Sequence, residues 1–148
     1  MQLAIYKERL YPSFSFFLAL SLSAPMVLLA ALPFGMTIAI SLGLLIPVVL
    51  NLAVYLLSPT IEVADGFLKA DRIRVPVSLL GEVVPLDGAA FSLKLGPEAN
   101  PRAQLMIRGY VKGGAQIPVL DPEDPTPYLL LSSRNPEELA VALEANRA

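Results

Sequence analysis

The chain contains neither cysteine nor histidine among its 148 residues. The first absence excludes disulfides, thiolate catalysis and cysteine-ligated metal or iron–sulfur sites. The second removes the commonest general base and the commonest zinc ligand. Charge is also scarce: charged residues make up 16% of the chain, against about 25% in soluble proteins. The shortage is local, because from Leu10 to Ile61 there is not one Asp, Glu, Lys or Arg. Only Lys7, Glu8 and Arg9 precede that gap, and every other charge follows it. A net charge of −2 offers no basic surface of the kind nucleic acid demands, so no nucleic-acid partner is expected.

Two apolar runs fill the gap, Phe14 to Leu32 and Met36 to Leu57. The hydrocarbon core of a bilayer is about 30 Å thick and a helix rises about 1.5 Å per residue, so about 20 residues cross it. Backbone polar groups in lipid must be satisfied within the segment, which makes helix the expected conformation of both. Pro33-Phe34-Gly35 between them is a breaker tripeptide that leaves room only for a tight turn. The expected layout is an N-terminal segment 1–12, a transmembrane helical hairpin over 13–58 (spans 14–32 and 36–57), and a domain over 60–148. Lys7 and Arg9 before the hairpin and Lys69, Arg72 and Arg74 after it, with no charge in the turn, place both termini in the cytoplasm by the positive-inside rule. Tyr6, Tyr11 and Tyr55 stand where interfacial aromatics belong. A cleaved signal peptide competes for the first run, with Ala30-Ala31 as its small-residue site. The run is longer than the usual apolar region of about 7–15 residues, however, and a second span follows at once.

Within the hairpin, Pro25 and Pro47 each remove a backbone hydrogen bond and are expected to kink their helices. Folding the helices about the turn sets Pro25 near Gly43 and Pro47 near Ser21, and small residues at such positions allow close approach. Asn51 is the one strongly polar side chain in either span. It has two readings, a hydrogen bond inside the hairpin or a contact with another membrane protein. Asn51, Gly43, Pro25 and Pro47 are therefore the candidate packing or partner residues. No charge lies in the spans, so no transport pathway is indicated.

From Thr60 the texture alternates. Thr60–Ala64, Phe67–Ala70 around the turn dipeptide Asp65-Gly66, and Arg72–Val75 read as three short strands. Leu79–Leu86, Ala103–Val111, Gln116–Leu120 and Tyr128–Ser132 read as further strands. Residues 91–102 read as an irregular loop with at most one helical turn. A C-terminal helix over 136–146 starts from Asn135 as N-cap, Pro136 at the first position and Glu138 at the capping-box spacing. Leu139, Ala142 and Leu143 form its apolar stripe. The expected fold class is a membrane α-helical hairpin followed by a mainly β domain, a bent sheet or open barrel plugged by the C-terminal helix.

Five strings, in order, carry a resemblance: Tyr6-Lys7-Glu8-Arg9-Leu10, the two spans, Gly81-Glu82-Val83, Asp121-Pro122-Glu123-Asp124-Pro125-Thr126-Pro127-Tyr128, and Ser133-Arg134-Asn135-Pro136-Glu137-Glu138-Leu139. Together they resemble an uncharacterised actinobacterial family, domain of unknown function 3093, over nearly the whole chain. That resemblance implies a two-span membrane protein and no chemistry. The soluble part also resembles bacterial pleckstrin-homology-like domains, through Arg74-Val75-Pro76-Val77 followed by Gly81-Glu82-Val83.

Candidate sites are few. Asp121, Glu123 and Asp124 are hard-cation ligands by type, but three prolines make the string a stiff turn, with Asp121 or Thr126 bonding its own backbone. Lys69, Arg72 and Arg74 are possible lipid-facing basic residues, or serve topology alone; Arg108, Lys112 and Arg134 join them if the sheet folds back. Glu82 and Asp87 are conceivable acid/base groups, set against a strand-edge carboxylate paired with an arginine. No elbow serine, phosphate loop or catalytic carboxylate pair occurs, so no catalytic, cofactor-binding or metal-ligating residue is assigned. The expectation is a non-enzymatic, membrane-anchored interaction or accessory module at the cytoplasmic face of the bacterial plasma membrane. Its partners would be the lipid bilayer and a membrane protein or a second copy. The alternatives are an anionic-lipid or headgroup-binding module and, third, an enzyme acting on a membrane-associated substrate.

Overall fold

The structure, a computed structural model, describes residues 5–147. They form two compact units, one comprising Tyr11–Ser58 and the other the residues on either side of it.

The first unit is a helical hairpin. Helices α1 (Phe14–Ser21) and α2 (Ser23–Ala31) run up to a 3-10 turn at Leu32–Phe34, and α3 (Met36–Leu56) returns. The reversal needs Gly35, whose φ of 111° suits a residue without Cβ. The two apolar stretches, Phe14–Phe34 and Met36–Leu56, have mean hydropathies of 2.1 and 2.3 and are long enough to cross a membrane. Pro25 acts as its chemistry requires: the helix breaks at Leu22, whose N–H is shared between the carbonyls of Leu18 and Ala19. Pro47 lies inside α3 without dividing it. Ala39, Gly43 and Pro47 are the buried residues of α3. Asn51 and Tyr55 continue the same four-residue spacing, so the five share one helix face.

In the second unit, strands β1 (Tyr6–Arg9), β2 (Thr60–Ala64), β3 (Phe67–Ala70) and β4 (Ile73–Pro76) form an antiparallel sheet in that order. Strand β1 falls in the stretch that reads from sequence as a separate N-terminal segment. It pairs in register from Tyr6↔Val63 to Arg9↔Thr60, and the Leu10 N–H bonds the Pro59 carbonyl at 2.9 Å. The helical hairpin is thus spliced into the connection between two paired strands. Asp65 and Gly66, both at positive φ, make the tight β2–β3 turn.

The second sheet is built from β5 (Val84–Leu86), β6 (Gln104–Met106), β7 (Gly114–Pro118) and β8 (Tyr128–Ser132), in the order β5-β7-β8-β6. Its β6–β8 pair is parallel. The long apolar stretches expected as strands shorten: Leu79–Leu86 keeps only β5, because Val77–Leu79 forms a 3-10 turn, and Ala103–Val111 keeps only β6. Helix α4 (Gly88–Leu95) replaces part of the expected loop. Asp87 caps it, accepting the Ala90 N–H at 2.8 Å, so the Asp87-Gly88 turn signal is a helix start. Helix α5 (Pro136–Ala145) closes the chain. Asn135 precedes it but makes no side-chain capping bond, which leaves Pro136 and the first-turn Glu137 and Glu138 to favour its start.

The inward faces of both sheets and the stripe of α5 share one core, including Ile61, Leu68, Ile117, Leu129, Leu131, Leu139 and Leu143, all fully buried. Each such side chain contributes about 1.5–3 kcal/mol by leaving water. A smaller cluster on the other side of the second sheet joins Leu86 and Leu130 to Phe91 of α4. Gly114 makes that approach possible, because a Cβ there would collide with the Phe91 ring and the Leu131 carbonyl.

Candidate functional site

The antiparallel register of the first sheet alternates its side chains between two faces. Tyr6, Val63, Leu68 and Val75 share the core face, so the next row, Lys7, Glu62, Lys69 and Arg74, shares the other. Lys7 and Arg74 are exposed and Lys69 half-buried. Arg72, also exposed, sits in the β3–β4 turn. The Arg74 guanidinium lies 4.5 Å from the centre of the Phe67 ring, a cation–π contact that holds it along the sheet. Among the described residues, Lys7, Lys69, Arg72 and Arg74 belong to no salt bridge. Of the cations expected to join them, Arg108 arrives nearby: its Nη2 is 3.8 Å from the Asp71 carboxylate, beside Arg72. Lys112 and Arg134 do not; they line a cleft of about 690 Å³ with Asp87, Tyr110, Ser133 and Glu137.

Next to that cleft stands a polar junction the sequence reading left unmarked. Glu8 on β1 points inward and is 8% exposed. Its carboxylate accepts from the Ser133 hydroxyl at 2.6 Å, the Tyr6 hydroxyl at 2.8 Å and the Arg134 N–H at 2.8 Å. Three donors compensate a charge that would otherwise be costly to bury. Burial first, and then the hydrogen bond to Glu8, push the Tyr6 phenol far above its ordinary pKa. The Tyr110 hydroxyl donates to the Leu10 carbonyl at 2.9 Å and fixes the end of the same strand. The two strings at opposite ends of the sequence, Tyr6–Leu10 and Ser133–Leu139, therefore meet in space. The only sequence signal was a carboxylate flanked by Tyr6 and Leu10 at alternating positions.

Beside β1 and α5 lies a groove of about 500 Å³, lined by Ile5, Val141, Ala142 and Ala145 together with Glu137 and Glu138. Val141 is 69% and Ile5 55% exposed.

The remaining candidates have local roles. Asp121 accepts from the Glu123 N–H at 2.9 Å and Asp124 from the Thr126 N–H at 2.8 Å. These are Asx-type turns, and the bonds to Thr126 hold the Asp124 carboxyl below its usual pKa. Thr126 itself is buried. Among the described residues no group of three or more acidic side chains is placed to hold a metal ion. Glu82 is exposed and, among the described residues, forms no salt bridge with an arginine; Arg147 instead reaches the carbonyl of the adjacent Gly81. Asp87 is engaged as the α4 cap.

In the hairpin, Asn51 donates to the Pro47 carbonyl at 2.7 Å and to the Ser21 hydroxyl at 3.3 Å. Of its two readings, the bond within the hairpin is formed. Gly43 lies against Ala24 and Leu28, where a Cβ would come within 3.1 Å of the Leu28 Cβ. Pro25 is exposed and Pro47 buried. Tyr11 and Tyr55 stack with ring centres 5.0 Å apart.

A family model described as Protein of unknown function (DUF3093) matches residues 5–143, and the chain belongs to that family. No curated protein and no solved structure matches it.

Proposed function

As a member of that family, we propose, the protein is a non-enzymatic, membrane-anchored accessory module. Its hairpin crosses the bacterial plasma membrane, and its β domain stands at the cytoplasmic face to engage a membrane-protein partner. The observation that carries this reading is the splicing of an apolar hairpin between two paired strands. The chain leaves and re-enters one folded domain at adjacent points, Leu10 and Pro59, so a spanning hairpin fixes that domain on one side of the bilayer by two connections. Only 6% and 17% of the two apolar windows are buried, which argues against helices belonging to a water-soluble core. Lys7 and Arg9 before the hairpin and Lys69, Arg72 and Arg74 after it favour the cytoplasmic side.

The non-enzymatic part of the reading draws on composition and geometry together. The chain has no histidine or cysteine, and the Asp87, Asp121 and Asp124 carboxylates accept bonds from their own backbone. The finer fold assignment, a pleckstrin-homology-like domain, is supported by the four-stranded meander, the second sheet and the closing helix. The parallel β6–β8 pair and the spliced hairpin are departures from that plan. The apolar groove around Val141 is the surface we assign to the partner.

The test is purification of the full chain from its native host in mild detergent. A stoichiometric membrane protein, retained at moderate salt by the natural chain and absent from Val141→Glu, supports the reading. A chain that emerges alone overturns it.

A further inference from the structure

We propose that the solvent-facing side of the first sheet is a docking surface for an anionic lipid bilayer. Lys7, Lys69, Arg72 and Arg74 are its contact residues. The inference deepens the anchored reading, on which it rests, by naming what the domain does at the surface to which it is tethered.

The register carries the argument. Lys7, Glu62, Lys69 and Arg74 stand side by side on consecutive strands, and neighbours in such a row lie about 4.5–5.5 Å apart. With the adjoining turn, which adds Arg72 and Asp71, four cations stand against two carboxylates, of which Asp71 faces Arg108. The overall charge is −2, so the rest of the protein is acidic and this face carries the opposite sign. Sequence proximity alone does not produce it, because Lys7 precedes the hairpin and the other three follow it; the β1–β2 ladder brings them together. None of the four is committed to an ion pair among the described residues. Arg108 and Arg147, by contrast, each face a carboxylate.

The surface is also built for a plane rather than a pocket. The row lies on a sheet face, and the cleft beside it is lined by Asp71, Arg72 and Arg108 of the turn and the β6 end. Arg74 lies along Phe67, which offers an aromatic edge among the cations, the amphipathic combination found at headgroup depth. Both strands of the β1–β2 pair continue directly into the apolar hairpin, so a bilayer surface is present at high effective concentration. Weak charge attraction then suffices to hold the face down.

The experiment uses the full chain, reconstituted in vesicles of phosphatidylcholine alone or with phosphatidylglycerol. Since the chain lacks cysteine, Pro76→Cys places a single environment-sensitive label on the same face, at the end of β4. Docking predicts shielding of that label from an aqueous quencher on anionic vesicles, and its loss as salt is raised through the range where charges are screened. Each cation near an anionic surface is worth about fivefold in partitioning, so K69Q/R74Q should reduce the docked-to-free ratio by about twenty- to thirtyfold. K112Q, a lysine outside the row, should leave it unchanged, and unaltered thermal unfolding of K69Q/R74Q shows that the fold is intact. Equal shielding on phosphatidylcholine, or shielding indifferent to K69Q/R74Q, overturns the proposal while leaving the anchored reading standing. A chain that does not float with vesicles of either composition overturns both.

Discussion

The two units of this protein solve the same problem, satisfying polar groups in a small structure, by opposite routes. In the hairpin nearly everything is local. The serines at 21, 41 and 58 return their hydroxyls to carbonyls one turn back, and a side-chain bond joins Asn51 to Ser21 between the helices. In the β domain the decisive bonds join remote segments, with Glu8 binding Ser133 and Arg134 across separations of 125 and 126 residues. On the membrane-spanning reading proposed above, the difference follows from solvent. An apolar environment offers nothing to a polar group, so a helix must satisfy itself. An aqueous domain can leave its surface to water and spend polar contacts on joining remote segments.

This contrast can be broken most severely at Glu8. Glu8→Ala leaves three donors without their acceptor and should destabilise the β domain by about 3 kcal/mol. Denaturant unfolding followed by far-ultraviolet dichroism should show loss of the domain transition with the helical signal of the hairpin retained. Loss of both together would mean that the units do not fold independently. Gly114→Ala comes next, at about 2 kcal/mol, because the new methyl group meets the Phe91 ring and a carbonyl that cannot withdraw. Combined with Phe91→Ala it should cost less than the sum of the two single losses, because the ring clash is then gone, which thermal melts of the single and double variants would reveal.

Tyr6→Phe should cost about 1 kcal/mol through its bond to Glu8, and it also sharpens the comparison through pH. The Tyr6 phenol has a raised pKa in the folded protein. Its contribution is therefore complete below the ordinary tyrosine value of about 10 and disappears as pH rises beyond it. The natural β domain should lose stability above about pH 10 more steeply than Tyr6→Phe, measured by denaturant midpoints across that range. Identical slopes would remove Tyr6 as the cause. The smallest effect belongs to the hairpin: Asn51→Leu should change helix association by only about 0.6 kcal/mol, read as a small shift in a detergent unfolding titration.

What sequence could reveal divides along the same line. The hairpin was legible because it is local: a charge gap from Leu10 to Ile61, a breaker at Pro33-Phe34-Gly35, and small residues at Ser21 and Gly43. Even the break near Pro25 follows from one missing N–H. In the β domain, β2 and β3 were legible from alternation around Asp65-Gly66, and α5 from Pro136 and its apolar stripe. Strand β1 was not, because four residues before an apolar helix carry no sign of a partner at Thr60–Ala64. Helix α4 was hidden because Asp87-Gly88 serves equally as a turn and as a cap, and the choice was made by Phe91 finding the space over Gly114. The basic residues after the second span were visible in sequence, but the alignment of Lys7 with Lys69 and Arg74 required a register. Glu8 was the least legible, since nothing near it announces Ser133.

The Glu8 junction has a consequence for how the protein is made. Strand β1 leaves the ribosome before its pairing partner β2, which emerges only after the entire hairpin, and Ser133 and Arg134 follow Glu8 by 125 and 126 residues. At about 5–20 residues per second, Glu8 waits on the order of ten seconds for the groups that hold it. Once Leu56 has emerged, the hairpin is complete while the domain is still open. A nascent chain halted between Leu56 and Ser133 therefore carries a finished hairpin and an unfinished domain, and translation through Ser133 and Arg134 becomes the step that commits β1 to its place.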